Sequence, residues 1–392
     1  MRRLCVITGS RADYGLLRWL MQEIADDPGL ALQVVATGSH LSEAFGLTRR
    51  EIEADGFTLD AAVDLGLDDD SHLAIARASG RAVTGIAEAL ERLRPDLVVV
   101  LGDRFEIFAA AQAAYLLHIP VAHLHGGEIT EGALDDALRH AITKLSALHF
   151  VAAGAFRDRV LQLGEAPERV HVVGAAGLDA IARLDLPGRA ALEQELGVSL
   201  GEPLLLVTYH PETLAARDPG ADAAALLSAL DAFPEAGVVL TRPNADPGNA
   251  AIAERIAAWS AANAGRARLF DSLGQRRYLA MLKLAAVAVG NSSSALIEAP
   301  AVGTPSVNIG GRQGGRPRGS SVIDCPPESE AIRRAIGQAL EPPLQDAARR
   351  GDSPYGGPGA AAKIKAVLAS VDLAALRAKH FRDLPLAAGA GA

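Results

Sequence analysis

The chain has 392 residues, 49% of them hydrophobic, with 39 Gly and a formal net charge of -9. That length exceeds what one hydrophobic core organises, so two domains of similar size are expected, and the composition excludes a disordered or fibrous chain. The negative charge excludes a broad nucleic-acid or anionic-membrane surface, since both need an extended positive field, so any anionic ligand has to meet local arginines.

The run Leu4-Cys5-Val6-Ile7 after Met1-Arg2-Arg3 stops at Thr8-Gly9-Ser10, too short for a signal segment, and reads as a first strand. The longest apolar stretch, 107–124, is broken by Gln112, His118, Pro120 and His123 and reads as a buried helix followed by a strand rather than a membrane span. Cys5 and Cys325 form no CxxC or Cys/His cluster, which fits a reducing compartment, and a cytoplasmic location is expected.

Short β-branched runs alternate with longer Ala/Leu-rich stretches, the pattern of parallel strands joined by crossover helices. Strands are expected at 4–7, 32–36, 97–101, 121–124, 148–151 and 170–173, with helices at 16–25, 79–92 and 134–146. A second series is expected at 204–207, 237–240, 286–289, 306–309 and 322–324, and the join falls at 177–188, where Leu186-Pro187-Gly188 ends one unit. Ligands in such folds sit beyond the carboxyl ends of the strands.

Polar residues gather just after those strands. Thr8-Gly9-Ser10-Arg11-Ala12-Asp13-Tyr14-Gly15 opens the first helix, where free N–H groups favour an anion and Arg11 would meet phosphate or substrate. The stretch lacks GxGxxG, so nothing supports a dinucleotide. Leu101-Gly102-Asp103-Arg104-Phe105-Glu106 puts Asp103 where it could cap a helix or transfer a proton, with Arg104 beside it to bind an anion. His123-Leu124-His125-Gly126-Gly127-Glu128 follows the next strand, and Asp135 and Arg139 are i,i+4 neighbours on the helix after it, as are Asp136 and His140. Asp103, Glu128 and Asp135 thus supply carboxylates from consecutive strand ends, as acid/base chemistry needs. The His123/His125 pair has no third ligand at metal spacing, and Asp68-Asp69-Asp70 reads as a solvated loop, so no metal is expected.

In the second half, Tyr209-His210-Pro211-Glu212-Thr213 and Arg242-Pro243-Asn244-Ala245-Asp246 end strands. Gly290-Asn291-Ser292-Ser293-Ser294 opens a helix whose hydroxyls and N–H groups can cradle a diphosphate, with Glu298 a turn further in, where it could accept ribose hydroxyls. The Gly-rich run 308–319 holds Arg312, Arg316 and Arg318 after a strand and suits a phosphate.

Taken together and in this order, TGSRADYG, LGDRFEIF, HGGE with DDALRHAITK, YHPET, GNSSSALIE and NIGGRQGGRPRG resemble the hydrolysing branch of the UDP-N-acetylglucosamine 2-epimerase family over nearly the whole chain. The resemblance implies an α/β fold of two Rossmann-like doubly wound domains in the GT-B arrangement, with the active site in the interdomain cleft. It implies an N-terminal domain over 1–180 carrying the sugar site and catalytic carboxylates, and a UDP-binding domain over 189–365. A last helix near 354–371 would cross back, and the segment 366–385 would pack on the first domain. The implied catalytic set is Asp103, Glu128, Asp135, His125 and Arg139. The implied substrate contacts are Arg11, Arg104, His210, Asn244, Ser292, Ser293, Glu298 and Arg312, with Ser292 and Ser293 on the diphosphate, Glu298 on the ribose, and Arg312 and His210 near the phosphates. Non-hydrolysing relatives, and the animal hydrolysing enzyme, carry Glu in place of His125, which leaves the division of labour between His125 and Glu128 open.

The implied reaction converts UDP-N-acetylglucosamine to N-acetylmannosamine and UDP through 2-acetamidoglucal, with no cofactor, in a homodimer or homotetramer. The alternative substrate is UDP-2,4-diacetamido-2,4,6-trideoxyglucose. A GT-B glycosyltransferase, a non-hydrolysing epimerase and a non-catalytic sensor are the rivals. The clustered acids argue against the transferase and the sensor, and release of free UDP separates the two epimerases.

Overall fold

Runs of Val, Leu and Ile buried on both faces form strands only where helices cover them on both sides, and that is the arrangement of each half of this chain. The computed structural model describes residues 1–43, 46–67, 71–129, 134–212, 217–243 and 249–383. The chain divides into two compact units, one made of Met1–Asp179 together with the segment from Pro358 onward, the other of Ala180–Gly357.

The strands of the first unit are β1 (Arg2–Thr8), β2 (Leu30–Thr37), β3 (Ala61–Val63), β4 (Leu97–Leu101), β5 (Val121–Leu124), β6 (Leu148–Val151) and β7 (Val170–Val172). They form one sheet in the order β3-β2-β1-β4-β5-β6-β7, and each neighbouring pair is parallel. The second unit holds β8 (Leu204–Thr208), β9 (Gly237–Thr241), β10 (Ala267–Phe270), β11 (Val287–Gly290), β12 (Ser306–Ile309) and β13 (Val322–Cys325), ordered β10-β9-β8-β11-β12-β13 and again parallel throughout. Both are Rossmann-like, doubly wound sheets. In each the order reverses beside the first strand, between β1 and β4 and between β8 and β11, and such switch points open a crevice at the carboxyl ends of the strands.

Two strands, β3 and β10, are absent from the sequence-based expectation. Both are sheet edges of three and four residues, so they lack the two-sided burial that makes a central strand read as an apolar run.

The helix Ala360–Ser370 belongs to the first unit, where Ile364 and Leu368 join the core formed by Leu4, Val6, Leu17 and Leu20. Polar contacts fix its entry and exit. The Asp179 carboxylate accepts the N–H groups of Ala360 and Ala361 at 3.0 and 2.7 Å, satisfying orphan donors of the first turn, and Arg2 donates to the Val371 carbonyl at 2.9 Å. Among the described residues no helix is long and apolar enough to cross a membrane.

Candidate active site

The ends of β4 and β5 lie beside the switch point of the first unit. β4 ends at Leu101, Gly102-Asp103 follow it, and the helix Phe105–Leu116 begins directly after Arg104. β5 ends at Leu124, and His125 follows in the left-handed region at φ 63°. That conformation costs a non-glycine residue roughly 1–2 kcal/mol, and it is held by the His125 N–H donating to the Phe150 carbonyl at 2.9 Å.

Arg139, on the helix Leu134–Leu145, ties the strand ends together from a buried position. Its Nη2 donates to Asp103 Oδ2, while Nη1 donates to the His125 carbonyl at 3.1 Å and lies 3.5 Å from Glu128 Oε2. The other Glu128 oxygen meets His125 Nδ1 at 2.6 Å. The Ala176 N–H donates to His125 Nε2 at 3.4 Å, so Nδ1 carries the proton that points at Glu128. His125, Glu128, Arg139 and Asp103 therefore form one continuous chain. Asp135 sits within electrostatic reach of it: burial raises its carboxyl above the usual range, the Asp103 charge adds to that, and Arg104 and Arg139 pull the other way.

His123 does not belong to this chain. Its Nε2 meets the Gly102 carbonyl at 2.8 Å and its Nδ1 the Thr143 hydroxyl at 3.1 Å, and burial lowers its pKa to about 3, so it is a neutral strut between β4 and β5. Among the described residues no group of His, Cys, Asp and Glu side chains could hold a metal ion, and Asp68, Asp69 and Asp70 lie outside the described residues.

Arg104 Nε donates to Glu106 Oε1 at 2.5 Å, and Glu106 is fully buried. A Cβ on Gly9 would lie 2.6 Å from that carboxylate, so β1 can approach Glu106 only because residue 9 is glycine. Asp13, buried at the start of the helix Arg11–Ala25, faces the same group. Burial lifts its pKa to about 7, Arg104 opposes that, and Glu106 and Asp103 add to it. Arg11, expected to touch phosphate or substrate, is more than half exposed and pairs with Glu51 at 3.2 Å on the surface of its helix.

The folded protein keeps the Asp13 proton up to about pH 7, whereas an unfolded chain releases it near pH 4. The stability Asp13 contributes is thus complete in acid and is lost as pH rises through about 7. Asp13→Asn, which resembles the protonated acid, is expected to melt close to the wild type at about pH 4 and increasingly above it as the pH rises to about 7. Parallel melting curves for the two proteins over that range would show that Asp13 is ionised throughout.

In the second unit the same logic gathers residues after β8, β11 and β12. The Asn291 side chain accepts the His210 N–H at 2.7 Å and donates to the His210 carbonyl at 2.8 Å. The Asn291 carbonyl in turn receives Gln313 at 2.8 Å and Arg312 at 3.4 Å. One buried asparagine thus joins the His210 segment to the Gly/Arg loop. Burial and the nearby Arg312 charge lower the His210 pKa to about 4, so its imidazole is neutral at pH 7. Ser293 occupies the N-cap position of the helix Ser294–Val302, the Ser292 hydroxyl accepts the Ser294 N–H at 3.3 Å, and Glu298 lies one turn inside that helix. Asn244 lies outside the described residues.

Sequence reasoning assigned no role to Asp13, Glu106, Asn291 or Gln313. Each lies inside a motif it singled out, and the available signal was a polar residue within five places of a strand end.

Acids and guanidiniums thus gather on one doubly wound unit, and a serine-opened helix with an arginine loop on the other. The family model described as UDP-N-acetylglucosamine 2-epimerase matches residues 22–369. The GDP/UDP-N,N'-diacetylbacillosamine 2-epimerase (hydrolyzing) of Campylobacter jejuni is 40% identical over 323 residues, covering 82% of this chain and 84% of that protein. The polysialic acid biosynthesis protein P7 of Escherichia coli is 36% identical over 356 residues, covering 91% and 90%. The crystal structure of UDP-GlcNAc 2-epimerase from Neisseria meningitidis bound to UDP-GlcNAc shares the fold with a TM-score of 0.73 at 19% identity, over 94% of this chain and 99% of that one. The chain belongs to the UDP-N-acetylglucosamine 2-epimerase family, in its hydrolysing branch.

Proposed function

We propose that the protein takes a UDP-linked 2-acetamido sugar, releases UDP, and returns the free sugar inverted at C2. The observation that carries this reading is the Arg139-centred chain, which holds Asp103 and Glu128 beside Asp135, an acid with a raised pKa. Such a set offers proton acceptors and a proton donor in one place.

The C2 hydrogen of such a sugar is not α to a carbonyl, so C1–O cleavage accompanies or precedes its removal. As that bond breaks, its electron pair leaves with the UDP β-phosphate oxygen and positive charge develops at C1. A carboxylate takes the acidified C2 proton, and the C–H pair becomes the C1–C2 double bond of a glycal. Water then adds hydroxyl to C1 and hydrogen to C2 from the opposite face. The carboxylates of Asp103, Glu106 and Glu128 outnumber the guanidiniums of Arg104 and Arg139 in this set, which favours a positively polarised C1; one unit charge 4 Å away is worth about 4 kcal/mol at an effective dielectric of 20. The same excess repels a diphosphate. UDP recognition therefore falls to His210, Ser292, Ser293, Glu298 and Arg312 of the second unit, and the sugar to the acids of the first.

Two substrates fit this chemistry. The motifs fit UDP-N-acetylglucosamine, with N-acetylmannosamine as product. The 40% identity to an enzyme named for N,N'-diacetylbacillosamine favours the 2,4-diacetamido-6-deoxy sugar. Incubation with each UDP-sugar, followed by NMR of the released sugar, tests both: a free 2-epimer with stoichiometric UDP is expected, and the larger kcat/KM names the substrate. Return of a UDP-linked epimer without free UDP would refute the hydrolysing reading.

A further inference from the structure

The Gly/Arg loop after β12 is already occupied. Gly310 N–H donates to the Cys325 carbonyl at 2.9 Å and so closes the β12–β13 ladder, which makes Gly311 N–H the first amide beyond the sheet. That amide donates at 2.8 Å to Oε1 of Glu212, which reaches across from the segment after β8. The fit is close: Gly310 has φ 78°, and a Cβ there would fall 2.1 Å from the same oxygen. The next two residues, Arg312 and Gln313, are held on the Asn291 carbonyl, and Asn291 holds His210, two residues before Glu212.

A backbone amide beside an arginine is a donor set for a phosphate oxygen. Here a carboxylate, the side-chain anion closest to phosphate in its acceptor geometry, fills the amide position. We propose that Glu212 is an internal anion that holds the phosphate-contacting amide of Gly311 in the ligand-free protein, and that the diphosphate of the nucleotide displaces it on binding. Glu212 then sets nucleotide affinity downward in two ways: its contact has to be broken, and its charge faces the arriving anion. It also speeds release of UDP by reclaiming the amide. This rests on the reading that the second unit binds UDP.

A carboxylate that merely pinned the loop would have the opposite sign, since its removal would loosen the donors and weaken binding. Calorimetric titration of UDP into the full-length wild type, Glu212→Gln, Glu212→Ala and Arg312→Ala separates the two. Glutamine keeps the acceptor oxygen and removes the charge; alanine removes both. The expected result is UDP bound about tenfold tighter by both Glu212 variants, a change of about 1.4 kcal/mol. Arg312→Ala should bind it ten- to a hundredfold more weakly. Wild-type binding with unchanged or weakened affinity in both Glu212 variants, at unchanged melting temperature, would overturn the role of Glu212 and leave the UDP reading standing. No UDP binding by the wild type would overturn both.

Discussion

Asp103→Asn is expected to lower turnover by at least about 100-fold, the scale of lost acid/base catalysis, while UDP affinity stays within about twofold. The substitution is nearly isosteric, so it leaves the end of β4 and the following helix in place, and its effect is electrostatic. It removes the negative charge that Asp103 contributes near the reacting carbon. It also removes one of the two carboxylates between which the Arg139 guanidinium is held, leaving Glu128 with a larger share of that cation. A base that gains a cation loses basicity, so proton abstraction suffers whether Asp103 or Glu128 performs it. UDP affinity is spared because the proposed nucleotide contacts, from His210 to Arg312, all lie in the other unit. Single-turnover rates and UDP titrations of the variant give both quantities. Turnover near the wild-type rate would remove Asp103 from the mechanism, and a large loss of UDP affinity would show that the nucleotide reaches the first unit's acids.

The strand ends were legible in the sequence because a buried parallel strand is an apolar run and the polar residue that terminates it stands out. Asp103, His125 and Glu128 were singled out that way, and so were Ser292, Ser293 and Arg312. Their partnerships were not legible. Nothing in the spacing of Asp103 and Arg139, 36 residues apart, announces that one guanidinium joins β4 to β5. The i,i+4 spacing relates Arg139 to Asp135 along the helix, whereas the folded chain buries Arg139 against Asp103, Glu128 and the His125 carbonyl. Arg11 and Asp13 show how little motif membership says about a side chain's surroundings. A helix start after a strand is a plausible anion site, but Arg11 is the first residue of a 15-residue helix and its side chain lies along the helix surface, where Glu51 meets it. Asp13, two residues on, is the buried one, and burial rather than motif membership is what perturbs its proton.

Turnover in D2O is expected to give a released sugar that carries deuterium at C2 in essentially every molecule. Elimination places the C2 proton on a carboxylate, and the return step delivers a hydrogen from the opposite face. A single residue on one face cannot do both, so removal and return fall to different members of the set Asp103, Glu128 and Asp135. A donor that is not the original acceptor draws its proton from solvent, and carboxyl protons exchange with water far faster than enzymes turn over. The supplied glycal should be hydrated to the same C2 epimer, because a true intermediate is kinetically competent. Proton NMR of the product reads the label directly. Protium retained at C2 would exclude exchange with solvent during the inversion and would require one shielded group to carry the same proton between faces. Release of a sugar with unchanged C2 configuration and no label would be the more damaging result, since it reduces the reaction to simple hydrolysis of the C1–O bond and leaves the carboxylates without a C2 proton to move.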